Sequence, residues 1–461
     1  MGQEQTIIDG GGTRRVLLMG NVFFNGNEQA ITSETEINGF TIQNGEVRNE
    51  SGAGMKIVDA SPRLLNLIVK GNIVTGESAG GAGAALFGFK GEVQNCSFID
   101  NFISTTSSCS GAGLNITAIG DIELRDCVFR NNHSATINWC YGGGLYLTAD
   151  FGLGIVPVVR LVNCTIDNNS TTTENWSYGG GMYVNDGMSI SMDSCVISNN
   201  TTNMANWSYG GGASICLESN VDISNCKFFG NSASRGQAIW YDTRSNERLT
   251  TINNSMFTRN GRVTGSSNSR SAIGADDDLE LTLNNCVIAN NESWSIELEG
   301  ALTLNHCTVV YNGGPIQLEG GFLSGVNSIF WKNGPDQFNE LHPTWVENSY
   351  NFSDCLIEGG HEGTNILDAD PLFVNNQVFF PTRDSPFLAA GRPGVLSADL
   401  LGNPRPMPAN SVPDLGAYEV DQYFAHVLVK FFFDVNEDGI KDPNEQYTSY
   451  LLYTSPSPRD S

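Results

Sequence analysis

Basic residues are scarce in this chain. Its 461 residues hold 24 Lys and Arg against 50 Asp and Glu, a formal net charge of -26. Phosphate backbones are bound by concentrated positive charge, and so thin a supply forms no basic stripe, which argues against nucleic acid as a partner. Long apolar runs are missing too: no stretch reaches the roughly 18 residues of a membrane-spanning helix. The opening MGQEQTIIDGGGTRR has no apolar stretch of the signal-peptide kind. Because it leads at once into repeat-like sequence, with INGFTIQNG at Ile37 and NLIVKGN at Asn66, the natural start and any export signal are expected upstream of Met1. By length alone the chain could hold two or three domains, but a solenoid absorbs such length in one core.

What the chain has in quantity is repetition. CVFRNN at Cys127, CTIDNN at Cys164, CVISNN at Cys195 and CKFFGN at Cys226 are versions of one phrase. The first three each lead through nine residues into a glycine triplet, at 142–144, 179–181 and 210–212. The phrase returns at Cys96, Ser255, Cys286, Cys307 and Ser328 and, weakly, at Cys355. A period of this length means stacked repeats.

Upstream of each Cys, apolar residues alternate as in a strand, for example Ile122 and Leu124, Ile190 and Met192, Leu281 and Leu283. From the Cys onward the apolar series restarts one residue out of step, as in Cys127 and Phe129. Such a slip cannot occur inside a straight strand, so a corner is predicted at the residue before the Cys. That position holds Asn95, Asp126, Asn163, Ser194, Asn225, Asn254, Asn285, His306, Asn327 or Asp354, mostly types that tolerate a left-handed backbone or cap a turn. A second asparagine column, from Asn101 through Asn132, Asn169 and Asn200 to Asn333, predicts another corner and stacked amides. A third strand follows the glycines, as in GLYL at Gly144 and GMYV at Gly181.

Spacings between successive cysteines fall as low as 21 residues, too few for a helix per repeat. The expected fold is therefore all-β: a parallel β-helix of about ten or more three-sided coils, rising about 4.8 Å each, over residues 6–360. Eight cysteines, Cys96, Cys127, Cys164, Cys195, Cys226, Cys286, Cys307 and Cys355, sit in the inward register and read as a packing ladder. Cys109 and Cys140 instead hold the eighth position of nine-residue loops in adjacent coils, where backbone spacing allows a disulfide.

Three of these loops end NWCY, NWSY and NWSY, so Trp139, Trp176 and Trp207 should stack in one column and Tyr141, Tyr178 and Tyr209 in another. Two readings compete. Exposed aromatic faces with Asn and Ser nearby make a ledge for a polysaccharide or cell-surface glycan; alternatively the rings stack on one another to hold the loops against the body.

Five FxxN copies, at Phe98, Phe129, Phe228, Phe257 and Phe330, paired with a GG strand, resemble the repeats of polymorphic outer-membrane proteins and related bacterial surface proteins. The resemblance implies a right-handed β-helix. From residue 361 the repeats stop, and NILDADPLFV at Asn365, SPFLAAG at Ser385, GNPRP at Gly402 and PDLGAYE at Pro413 resemble the C-terminal part of choice-of-anchor Q proteins. That family implies an exported protein, secreted or held at the bacterial cell surface. Residues 361–420 are expected to cap the open last coil, which would otherwise expose a strand edge.

After an alternating strand, AHVLVKFFF, comes DVNEDGIKDPNE, which satisfies the D-x-[DN]-x-[DN]-G-x5-E pattern with Asp434, Asn436, Asp438, Gly439 and Glu445. Its oxygens suit Ca²⁺, with Ile440 offering a carbonyl and Asp442 a water-mediated contact. Its β-like flanks and the late Pro443 argue against a helix-loop-helix hand. Residues 421–449 resemble the truncated start of a B-repeat β-sandwich module of bacterial adhesins. Residues 450–461, ending LLYTSPSPRDS, resemble translated sequencing adapter and are set aside.

Many right-handed β-helices are polysaccharide lyases or glycoside hydrolases, so chemistry has to be tested. The carboxylate blocks of polygalacturonases are not present as a set, and no basic residues cluster on one coil face for a lyase. The only dense carboxylates are Asp276, Asp277, Asp278 and Glu280; Asp276 and Asp278 are the weak catalytic candidates, and a solvated turn is the plainer reading. His306 and His133 read as structural. The expectation is a monomeric, non-catalytic, adhesin-like scaffold, with a polysaccharide lyase or hydrolase as the alternative.

Overall fold

Every residue read as the corner before the Cys position is one. In the computed structural model the ten positions from Asn95 to Asp354 have left-handed backbones, with φ between 48° and 57°. The structure describes residues 6–421 except 25–26, 205–206, 217–220, 243–247, 262, 264–269, 277–278 and 341–347, together with 431–432 and 447–448. At the second corner the left-handed residue is the one before the ladder asparagine, among them Asp100, Asn131, Asn168 and Asn199. Between the corners lie three-residue strands such as Val128–Arg130 and Val196–Ser198. Each pairs in parallel, in register, with its equivalent in the next coil. So do the strands before the Cys and those after the glycines. The result is a parallel β-helix, and the described residues contain no α-helix, only the 3₁₀ turn Phe151–Leu153.

The asparagine column is buried and fully hydrogen-bonded. Asn132 Nδ2 donates to the Phe98 carbonyl and to Asn169 Oδ1, both at 2.9 Å, while its own Oδ1 accepts from the Asn101 backbone N–H and Nδ2. The pattern runs from Asn72 to Asn333, which ends it by donating to Gln337 Oε1 at 2.9 Å. The glycine triplet is the other half of this device. A Cβ at Gly181 would lie 2.8 Å from the Asn200 carboxamide carbon and 2.5 Å from the Gly212 carbonyl, so no larger residue fits against the ladder.

Inside the coil the cysteine column is buried as expected, and its chemistry explains why Ser replaces Cys twice. Cys127 Sγ donates to the Arg125 carbonyl at 3.3 Å; Ser255 Oγ and Ser328 Oγ do the same to Asn253 and Val326 at 2.8 and 3.0 Å. The corner needs a small side chain with one hydrogen to give. Phenylalanines two residues on stack between coils, Phe98 on Phe129 at 5.2 Å and Phe228 on Phe257 at 4.8 Å.

Two features differ from the sequence reading. The nine-residue loops are themselves β-structure, part of a separate nine-stranded parallel sheet. And most of residues 361–420 does not lie across the last coil. The first part of this segment does cover that coil, as expected: the strand Thr364–Leu367 pairs in parallel with Ser349–Ile357, and His361 packs against Phe338, Tyr350 and Phe352. Phe379, Phe380, Phe387, Leu415 and Tyr418 instead run along the flank, against the outward Val287, Val310, Ile329 and Trp331, and burying that apolar flank stabilises the tail there.

The tail is fixed by a buried polar cluster. Arg405 Nη1 donates to His306 Nδ1 and, at 2.9 Å, to the Asp414 carbonyl, and lies 3.4 Å from Glu419 Oε2. Asp399 and Asp414 accept backbone N–H groups around it. Gly416 passes so close that a Cβ would sit 2.6 Å from Thr308 Oγ1. GNPRP and PDLGAYE thus supply the residues that clasp tail to helix. Farther on, Phe431–Phe432 and Tyr447–Thr448 pair antiparallel; the expected calcium ligands Asp434, Asn436, Asp438, Ile440, Asp442 and Glu445 lie outside the described residues, as does 450–461.

Asn200→Ala removes an amide that serves Asn169 and the Ile166 carbonyl. It should destabilise the rod by on the order of 3 kcal/mol, from several buried groups losing partners, and lower the denaturation midpoint. The neighbouring corner change Asn199→Gly, which keeps the left-handed backbone easy, should cost no more than about 1 kcal/mol.

Burial, and next the Asp414 carboxyl, raise the Glu419 carboxyl from 4.5 to about 7. The folded tail therefore binds this proton more tightly than the unfolded one. Its contribution is complete below about pH 4.5 and is lost as pH rises through about 7. Proteolysis within 372–420 should be faster at about pH 8 than at about pH 5, and Glu419→Gln should flatten that difference. The opposite trend would mean that the Arg405 pairing outweighs burial.

Candidate functional site

The segments 133–141 and 170–178 each fold as a β-arch, two short strands such as Ser170–Thr173 and Trp176–Tyr178 facing each other across a small polar interior, while Phe102–Ser110 is one strand that pairs with both strands of the next arch. The second and eighth positions point in. Thr171 Oγ1 and Ser177 Oγ are 2.5 Å apart, and Cys140 Sγ lies 3.2 Å from the Ser134 carbonyl. In two adjacent segments the eighth position is Cys, and Cys109 and Cys140 are joined by a disulfide, their Cα atoms 4.9 Å apart.

The seventh and ninth positions point out, and the two expected columns form: Trp139, Trp176 and Trp207 are in register, as are Tyr141, Tyr178 and Tyr209. They do different work. The tyrosines stack at 5.5 and 5.2 Å and lean on the strand face beside the arch, Tyr141 on Tyr183 at 4.9 Å and Tyr209 on Trp240 at 5.0 Å. Tyr209 is 7% exposed, and burial pushes its hydroxyl up to about 12. This row holds the arches down. The tryptophans form the outer edge: Trp139 is 53% and Trp176 38% exposed. Trp176 and Trp207 are parallel at 6.3 Å, and the far end of the row is closed by the Arg235 guanidinium, 5.1 Å over Trp207. At the near end the next coil offers only Ser108 opposite Trp139.

Beyond Arg235 the same strand face opens into a cleft of about 360 Å³, lined by Arg235, Arg270, Asp276, Glu297, Glu299 and Glu319. Asp276 ends the strand Ser271–Asp276 and lies 3.5 Å from Arg235 Nη1. Glu297, 4% exposed, accepts from Arg270 at 3.0 Å and from Ser271 Oγ at 3.2 Å. Asp278 lies outside the described residues. The carboxylates described beside Asp276 in the cleft come from other coils. Their signal was present but dispersed: IWYD at Ile239, IGAD at Ile273, IELE at Ile296 and IQLE at Ile316 set an acid at one register in four successive coils.

Among the described residues no set of three His, Cys, Asp or Glu is arranged to hold a metal ion. His133 stacks on Phe102 and bonds Ser170 at 2.7 Å, and His306 belongs to the tail clasp, so both are structural. Burial and the adjacent Arg405 hold His306 neutral, down to about 2. Cys216, which sequence reading passed over, is buried beside the strand face, 2.9 Å from the Tyr183 hydroxyl and 3.6 Å from Asp242 Oδ2. The chain matches no protein-family model and no curated protein.

With one disulfide and nine buried thiols, the native protein should react slowly with thiol reagents. Denatured without reductant it should titrate nine thiols, and after reduction all eleven cysteines. Eleven before reduction would remove the bridge.

Proposed function

We propose that this is an exported β-helix protein of the bacterial cell surface, a rigid non-catalytic scaffold that holds a glycan along the Trp139, Trp176 and Trp207 edge. The observation that carries this reading is the exposure of Trp139 and Trp176 on a rung-by-rung rigid wall. Large apolar rings left in water at a fixed spacing are costly without a partner, and sugar rings present matching apolar faces. The choice-of-anchor Q and FxxN resemblances support export and surface display, and in this reading the loop from Asp434 to Glu445 takes Ca²⁺ through its oxygens.

One observation favours an enzyme instead: Asp276 sits in a cleft with a buried Glu297 that is paired with the part-exposed Arg270, which is where a polysaccharide hydrolase or lyase would need its charged groups. Release of reducing sugar or of unsaturated uronate, abolished by Asp276→Ala, would establish that second reading.

Glycan-array binding tests the first. Replacing Trp139, Trp176 and Trp207 together by Ala should lower retention by about tenfold or more, as expected when exposed aromatic anchors are removed, while the circular dichroism spectrum stays β. Unchanged retention would remove the ledge.

A further inference from the structure

The spacing from Cys127 to Cys164 is 37 residues where those on either side are 31, and the extra residues form one loop. Ala118 pairs with Ala149 and Ile122 with Val159, so the same turn is spanned by 119–121 in one coil and by 150–158 in the next. From Phe151 to Val159 the sequence reads FGLGIVPVV, without a polar side chain. Phe151, Leu153, Ile155 and Val156 are 63%, 52%, 43% and 57% exposed. A turn that is merely solvated, in a chain of net charge -26, would carry polar residues there.

The base of the loop is fixed. Asp150 donates its backbone N–H to the Ala118 carbonyl at 2.8 Å, and its Oδ1 accepts from the Gly152 N–H at 2.9 Å, capping the 3₁₀ turn Phe151–Leu153. Gly154 ends that turn with a left-handed backbone, φ 61°. The exit is held by the buried Pro157 and by Val158, whose N–H donates to Asp121 Oδ1 at 2.9 Å. Phe151 leans on the next coil at Gly187, where a Cβ would lie 3.2 Å from its ring, but a Cβ at Gly154 would meet nothing within 4 Å. The tip is a convex apolar knob.

We propose that this knob dips into a lipid surface, and that it takes zwitterionic headgroups in preference to anionic ones. Area and shape choose the partner. The four side chains together expose about 400 Å², the size of patch that marks an interaction site, whereas a stable protein pair buries about 800 Å² on each partner. A protein partner would also need a pocket cut to the knob and hydrogen bonds around it, and these side chains offer none. A bilayer interface accepts an apolar wedge of any outline. Charge chooses the lipid. Arg160, which follows the loop, lies 3.6 Å from Asp121, and the acidity of the whole chain opposes approach to anionic headgroups.

Flotation of the full chain with vesicles of phosphatidylcholine, and of an equal mixture with phosphatidylglycerol, tests this. Half of the protein should float at on the order of 1 mM phosphatidylcholine, weaker than a single acyl anchor. At low salt the mixed vesicles should bind about threefold less, and about 0.5 M salt should remove that difference. Phe151→Ser combined with Leu153→Ser should weaken binding about tenfold or more, with the β circular dichroism spectrum unchanged. Leu401→Ser, at a comparably exposed residue of the tail, should leave binding as it was. Should the double variant fail to fold, the lipid and salt preference of the unaltered protein still decides. No flotation, an equal loss in both variants, or tighter binding to the mixed vesicles at low salt overturns the inference. So does self-association that depends on the loop and occurs without flotation, which would make a second copy of this chain the partner.

Discussion

A buried primary amide has four hydrogen-bonding positions and, inside a packed coil, no water to fill them. Here the four are met only if an identical amide sits directly above and another directly below, as at Asn132 between Asn101 and Asn169. That requirement fixes register. A coil shifted by one residue would leave two donors and two acceptors unpaired, at about 1–3 kcal/mol for each group. Every other column in the molecule, of thiols, phenylalanines, indoles or carboxylates, is aligned because the asparagines allow only one alignment.

Coil length then decides what the surface carries. Between Asn132 and Asn169, 37 residues apart, and between Asn169 and Asn200, 31 apart, the extra chain forms an arch, and these arches bear indoles and phenols in register. Where ladder asparagines are 21 apart, at Asn291, Asn312 and Asn333, the chain passes almost directly into the next strand and no wall is built. The aromatic wall thus occurs over the long coils, and the carboxylates of Glu299 and Glu319 over the short ones.

The corners were legible because a parity slip in a period-two pattern has one physical meaning, and the residue types at the slip agreed with it. The arches were not, because their interiors hold Ser134, Thr171, Ser177 and Ser208, all buried; polar residues facing each other leave no hydrophobic alternation to read. The flank path of the tail was hidden for a different reason. Val287, Val310 and Trp331 look, in sequence, like the rest of an apolar strand, and only the inward burial of Ile288, Val309 and Phe330 shows that they face outward and need a cover. The Trp column could be predicted, but which of its rings stay open could not, since that depends on Arg235 closing one end and Ser108 leaving the other.

The motifs that carried the resemblance turn out to be mechanical parts. Arg405, Asp414 and Glu419 are buried in the clasp and present nothing to a ligand, and the FxxN asparagines are the ladder itself. Their recurrence constrains how such a rod is built and closed, whereas its specificity would be written at positions the scaffold leaves unconstrained: the outward residues of the arches and of the strand after the glycines. Those positions can change without disturbing a single ladder hydrogen bond. Function in this protein is therefore to be sought where the repeat is least regular, at Trp139, Arg235 and Asp276, rather than where it is most plainly written.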